Sequence, residues 1–333
     1  MRVQTVHADT RPLLAPGTEL RRTDEGVVLA TTYKSDYTFG GALAGELLDV
    51  LPRLDGWRRV GELARDAAIS EPQLIEVLGL LAADGLVVDA SAVFAAIGPE
   101  EYMESFCAIG DYWALNIFDQ PFWQIVQSGG ASRDVLLGWG IQFYHRVMGA
   151  NVHNEIAAGG ATVPEIREWL TRHYWEEHDH AHLFLKGLLQ DGLPESEAGE
   201  RNLLPTTRRL IDHSIHLAKT DQISYSSLDA LQQSPRHGQT AALINDQFDR
   251  MVAFYPDAAG TLNAFRRHTM FDIELNHSEI VLDKIVRRFG VPAREQTLRM
   301  LAATREIVEN FHAFFDGILQ HFSHVKLPDT RSA

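Results

Sequence analysis

Cysteine is nearly absent: there is one, Cys107, in 333 residues. That excludes an internal disulfide and any thiolate metal cluster, and it fits a reducing cytoplasm. No apolar run approaches the roughly 18 residues needed to span a bilayer. The first residues, Met1-Arg2-Val3-Gln4-Thr5-Val6-His7, lack the apolar core of a signal peptide. We therefore expect a cytoplasmic protein with no membrane partner. Basic residues are also in short supply: 30 Lys and Arg stand against 45 Asp and Glu, a formal net charge of −15. Such a chain has no overall field to attract phosphates and carries no dense Lys/Arg run, so no nucleic-acid partner is expected. No Gly-rich phosphate loop follows a strand, which leaves nucleotide use unsupported. Internal repeats and low-complexity tracts are missing as well.

What is present is ordinary in amount, 45% hydrophobic and 23% charged, and uneven in arrangement. Residues 1 to about 90 read as a small winged-helix-like α+β domain. Val27 to Tyr33 is β-rich, and Lys34-Ser35-Asp36 reads as a turn into Tyr37-Thr38-Phe39. Helical spacing follows over Leu43–Leu51, stopping at Pro52, then over Arg59–Ala68 and Glu71–Asp84. Ser70 is the N-cap of the last, and Gly85 ends it before the short strand Leu86-Val87-Val88. Asp89 to Pro99 reads as a connector. From about residue 100 to 325 the pattern is all-α, with helices expected over 102–126, 135–157, 163–190, 206–218, 224–232, 240–254, 260–289 and 292–321. The tail from Pro328 is expected to fray.

Two clusters carry chemistry. The first is His173-Tyr174-Trp175-Glu176-Glu177-His178-Asp179-His180-Ala181-His182. Carboxylate and imidazole are ligands for iron, manganese or zinc, and at spacings of three and four they share a helix face. Glu177 with His180, or Glu176 with His180, could grip one ion. The same residues also suit a solvated polar face. The second cluster, His268-Thr269-Met270-Phe271-Asp272-Ile273-Glu274-Leu275-Asn276-His277, favours a metal held between facing helices. His213 and His216, at i, i+3, could be ligands, but like His145 and His153 they read more simply as surface or satisfied core residues. Tyr144, Trp175 and Phe184 read as core packing, and Cys107 as a buried small apolar residue.

The segment Leu47-Leu48-Asp49-Val50-Leu51-Pro52-Arg53-Leu54-Asp55-Gly56-Trp57-Arg58-Arg59-Val60-Gly61-Glu62-Leu63 resembles the RiPP recognition element, a PqqD-like winged helix of peptide-modifying pathways. The resemblance covers about 75 residues and implies a leader-peptide or peptide-substrate partner, bound by strand addition. DNA binding or simple docking on a neighbour are the other readings of such a module. Pro121-Phe122-Trp123-Gln124, Gln142-Phe143-Tyr144-His145-Arg146 and Glu177-His178-Asp179-His180 resemble the heme-oxygenase-like fold in its iron-dependent oxidase branch, over residues 100 to about 322. That branch carries His-x3-Asp-x2-His on one ligand helix and a Glu on a middle helix. Here His268 and Asp272 keep the first spacing, but Leu275 replaces the second histidine and His277 comes two residues later. On a regular helix His277 stands roughly 180° from His268, so a bulge would be needed to bring them together. Glu274 with His277 is the competing register, and Asp229 is the nearest acid for the middle helix.

These resemblances imply a non-heme iron-dependent oxidoreductase using O2, with one or two Fe(II) ions. Glu177, His180, His268, Asp272 and His277 are its expected ligands, and Asp229 and Glu274 the reserves. It would modify a peptide or carrier-bound amino acid in RiPP-like biosynthesis. Homodimerisation is common in that fold and is the expected assembly. The alternatives are a metal-free small-molecule-binding or regulatory protein and a thiaminase-like hydrolase of the same fold.

Overall fold

The computed structural model describes residues 5–24, 26–31, 37–233, 240–274 and 280–332. The first 90 residues hold all the described strands: β1 (Pro12–Leu14), β2 (Thr18–Thr23), β3 (Gly26–Thr31), β4 (Tyr37–Phe39) and β5 (Val87–Asp89). Strands β2-β3-β4 form one antiparallel sheet, and β1 pairs with β5 antiparallel, Leu13 opposite Val88. Between β4 and β5 run α1 (Gly41–Val50), α2 (Val60–Asp66) and α3 (Glu71–Ala83). Strands β1 and β2 were not read from the sequence, because three- and six-residue stretches with no alternation carry little periodic signal.

The Leu54-Asp55-Gly56 motif has a plain structural role. Gly56 adopts φ 77°, and an added Cβ would sit 3.1 Å from Leu13 Cδ1. Its amide donates to Pro12 O at 2.9 Å, while Leu14 N donates to Leu54 O at 2.9 Å. Asp55 Oδ1 accepts from Trp57 N at 2.8 Å, closing an Asx turn. The motif is therefore a cradle for β1. Beneath it Leu47, Leu51, Leu54, Leu63, Leu74 and Leu78 are fully buried in one core. Each contributes about 1.5–3 kcal/mol by leaving water.

The rest of the described chain is helical: α4 (Ser91–Ala95), α5 (Pro99–Phe118), α6 (Pro121–Gln127), α7 (Arg133–Gly160), α8 (Pro164–Glu177), α9 (Ala181–Gln190), α10 (Pro205–Thr220), α11 (Gln222–Gln233), α12 (Ala241–Phe254), α13 (Ala259–Glu274), α14 (Val281–Phe289) and α15 (Arg294–Phe322). The chain divides into two compact units, residues 1–116 with 286–309, and residues 117–285 with 310–333. No described helix is long and apolar enough to cross a membrane.

Several expected boundaries differ. The helix expected over 102–126 is two, because Pro121 forces Gln120 into an extended conformation, ψ 153°. The helix expected over 163–190 breaks at residues 178–180. That over 260–289 is α13 and α14, with 275–279 outside the described residues. The expected connector contains α4. The tail is pinned rather than frayed: Leu327 N donates to Asp134 Oδ1 at 3.1 Å, and Thr330 N donates to Gly192 O at 2.9 Å.

Within the second unit α7 is the central helix. Ser132 caps it, its Oγ accepting from Val135 N at 3.3 Å. Gln142, fully buried on α7, bonds through both its oxygen and its nitrogen. Its Oε1 accepts from Leu204 N at 2.9 Å and Thr207 Oγ1 at 2.8 Å, and its Nε2 donates to Asn202 O at 2.6 Å. That anchors the start of α10 to α7.

Candidate metal centre

The break at 178–180 creates the site. Helix α8 ends at Glu177, and the chain turns through 3₁₀-type bonds, with His180 N donating to Glu177 O at 3.1 Å and Leu183 N to His180 O at 3.1 Å. Asn151 of α7 donates from Nδ2 to the His178 carbonyl at 3.0 Å, satisfying an acceptor that a continuous helix would have used. The turn brings Glu177 and His180 together while Glu176 faces solvent. Their side chains are only 13% and 9% exposed, and His180 Nδ1 donates to Glu177 Oε2 at 3.0 Å.

Helix α13 delivers His268 to the same place. The His180 and His268 rings lie 5.1 Å apart, centroid to centroid, at 73°. One donor atom from each of Glu177, His180 and His268 lies within 4.8 Å of the others. Aromatic rings wall the cluster. Phe271 stacks on His180 at 5.7 Å, and Phe143 and Phe184 lie 5.8 and 5.5 Å from His268. Phe143 in turn packs on Phe265, which stacks on Trp139 at 3.7 Å.

The electrostatics are those of a held anion. Burial alone would raise the Glu177 carboxyl. The hydrogen bond from His180 and the neighbouring His173, His180 and His268 imidazoles outweigh it and hold the group at about 2. Behind it lies a neutral histidine. Burial, then the charges of Arg146 and His173, push His153 down to about 3. Its Nδ1 is 2.6 Å from the Tyr225 hydroxyl, which itself donates to Asn154 Oδ1.

Of the expected ligands, the structure brings together Glu177, His180 and His268. Asp229 falls on α11, and Asp272 and Glu274 lie in the last turn of α13. The side chains of these three, and the whole of His277, lie outside the described residues. His145 is a satisfied core residue, with Nε2 3.3 Å from Gly199 O. Phe184 is core packing, but Trp175, expected in the core, is 65% exposed. Cys107 on α5 is half-buried rather than buried. The His153–Tyr225–Asn154 group was not anticipated. Its three members are on two helices, and only the packing of α11 on α7 joins them.

A buried carboxylate with two imidazoles is a donor set suited to Fe(II) with positions left open, and the clustering of three such atoms behind a ring wall fits that ion. Among solved structures, the chain matches a domain of unknown function with a heme oxygenase-like fold from Shewanella denitrificans OS217. The TM-score is 0.54 at 14% identity, over 67% of this chain and 93% of that one. The chain has a heme-oxygenase-like helical fold. It also matches a TenA homolog from Pseudomonas syringae pv. tomato, with a TM-score of 0.49 at 10% identity over 67% and 93%. No family model and no curated protein matches the chain. The heme-oxygenase-like fold agrees with the mostly helical architecture expected from the sequence; at this level of identity it carries fold alone.

Proposed function

We propose that this protein is a non-heme iron-dependent oxidase or oxygenase that uses O2. The single observation that carries the reading is the convergence of Glu177, His180 and His268 from two separate segments, α8–α9 and α13. Iron bound there would supply one-electron chemistry with O2. The chain's own part is electrostatic and steric. Glu177 would offset the positive charge, and His180 Nδ1, which donates to Glu177 Oε2, would have to lose its proton before that nitrogen could hold a cation. Phe143, Phe184 and Phe271 keep water from the site.

We extend the reading to the rest of the chain as expectation. Residues 1–90 form a peptide-recognition domain and residues 100–325 the metal-binding domain. The first would present a leader peptide, raising the effective concentration of a peptide or carrier-bound amino acid at the second. The enzyme would be a cytoplasmic homodimer in RiPP-like biosynthesis. The test is anaerobic purification, addition of Fe(II), and metal counted per chain. About one or two irons are expected, falling to near zero in Glu177→Ala and His268→Ala. A count near zero in the unmodified protein would select the metal-free, ligand-binding alternative.

A further inference from the structure

We propose that Asp191 is the positioning residue of this centre, fixing the register between helices α9 and α13; the inference rests on the metal reading above. Asp191 sits just past the end of α9, 3% exposed. Its Oδ1 accepts from Gly260 N at 2.8 Å and its Oδ2 from Thr261 N at 2.7 Å, two of the first amides of α13. One carboxylate therefore takes up two of the amide donors at the positive end of the helix that carries His268. Its own backbone is fixed as well: Asp191 N donates to Gly187 O at 3.1 Å, and Arg133 Nη2 donates to Asp191 O at 2.7 Å.

A second contact lies beside the first. A Cβ on Gly187 would sit 2.6 Å from Gly260 O, and one on Gly260 would sit 2.5 Å from Gly187 O. The two helices thus touch backbone to backbone, which only glycine allows. Both contacts meet α13 at Gly260 and Thr261, so together they oppose sliding of α9 along α13 at the crossing. Sequence position then does the rest. His180 lies seven residues before Gly187 and His268 eight residues after Gly260. At about 1.5 Å per residue those are roughly 10 and 12 Å. Because the helices run antiparallel from the crossing, the two imidazoles arrive level with each other, 5.1 Å apart. A slip of one residue would displace one ligand by roughly 1.5 Å, far beyond the few tenths that a coordination sphere tolerates.

The experiment is a Co(II) titration of the metal-free full-length protein, read by affinity and by the visible absorption of the bound ion. Asp191→Asn and Asp191→Ala are compared with Ser132→Ala, which removes the α7 cap and tests plain destabilisation. We expect about ten- to hundredfold weaker Co(II) binding and an altered absorption band in both Asp191 variants. Ser132→Ala should bind within twofold of the unmodified protein, and Asp191→Glu should recover part of the affinity. Unchanged affinity and spectrum in both Asp191 variants would overturn the inference, as would an equal loss in Ser132→Ala. If the unmodified protein takes up no Co(II), the metal reading itself fails, which is a different result from either.

Discussion

Asn151 reaches from α7 to the carbonyl of His178, 3.0 Å away, and so stabilises the one interruption that lets Glu177 and His180 meet. Removing it leaves that carbonyl without its protein donor. Asn151→Ala should cost about 1 kcal/mol of stability and weaken metal binding, because the turn can relax toward a continuous helix. Urea unfolding and a Co(II) titration of the same variant measure the two effects. A stability loss with unchanged metal affinity would mean the turn holds its shape unaided.

Glu177 makes a pH-dependent contribution with a definite sign. Its folded value of about 2 lies below the ordinary 4.5, so the stabilisation is complete above pH 4.5 and is lost as pH falls toward 2. In the metal-free protein, the stability difference between Glu177→Gln and the unmodified chain should shrink over that interval. Urea midpoints taken from pH 6 to pH 3 would show it. A difference that stays constant would contradict the depressed value.

His312 acts in a higher window. Burial alone pushes it from 6.5 down to about 4. The unfolded chain therefore binds a proton that the folded chain refuses, and stability falls as pH drops from 6.5 to 4. Each such histidine adds about 1.4 kcal/mol per pH unit to the slope. His312→Gln should flatten the stability–pH curve by about one proton in this window, as measured by denaturant midpoints. His153, pushed down to about 3, should leave much of the slope in place.

The C-terminal strap is open to a simple deletion. Asp134 is buried and accepts from Lys326 Nζ at 2.9 Å and Leu327 N at 3.1 Å, and Arg133 lies 3.6 Å from Asp329. Ending the chain at His324 strands the Asp134 carboxylate with a weaker partner. A loss of about 2–4 kcal/mol is expected, read as a lowered thermal midpoint. Asp134→Asn in the shortened chain should recover part of it.

The parts legible in the sequence were those written in local pattern. Glu177 and His180 stand three apart, and His268 announces a second polar cluster within an apolar helix, so both could be named before any contact was known. The choice of Glu177 over Glu176 could not, since both suit an ideal helix and only the turn at 178–180 decides. Asp191 was invisible for another reason. Beside Gly192 it reads as an ordinary helix end, and its partner amides lie about 70 residues downstream. The helix ends at Gln120 and at the α3 cap Ser70 both carry local signals, a following proline at the first and a hydroxyl cap at the second.

Strand β1 finds its partner β5 only about 75 residues downstream, with Leu13 opposite Val88. During synthesis the first 14 residues therefore wait until residue 89 has emerged before that pairing can close. Non-local closure of this kind is slow relative to helix formation. The Leu54-Asp55-Gly56 cradle, which bonds Pro12 O and Leu14 N, emerges earlier, so the strand's first hydrogen-bond partners are made before its partner strand is.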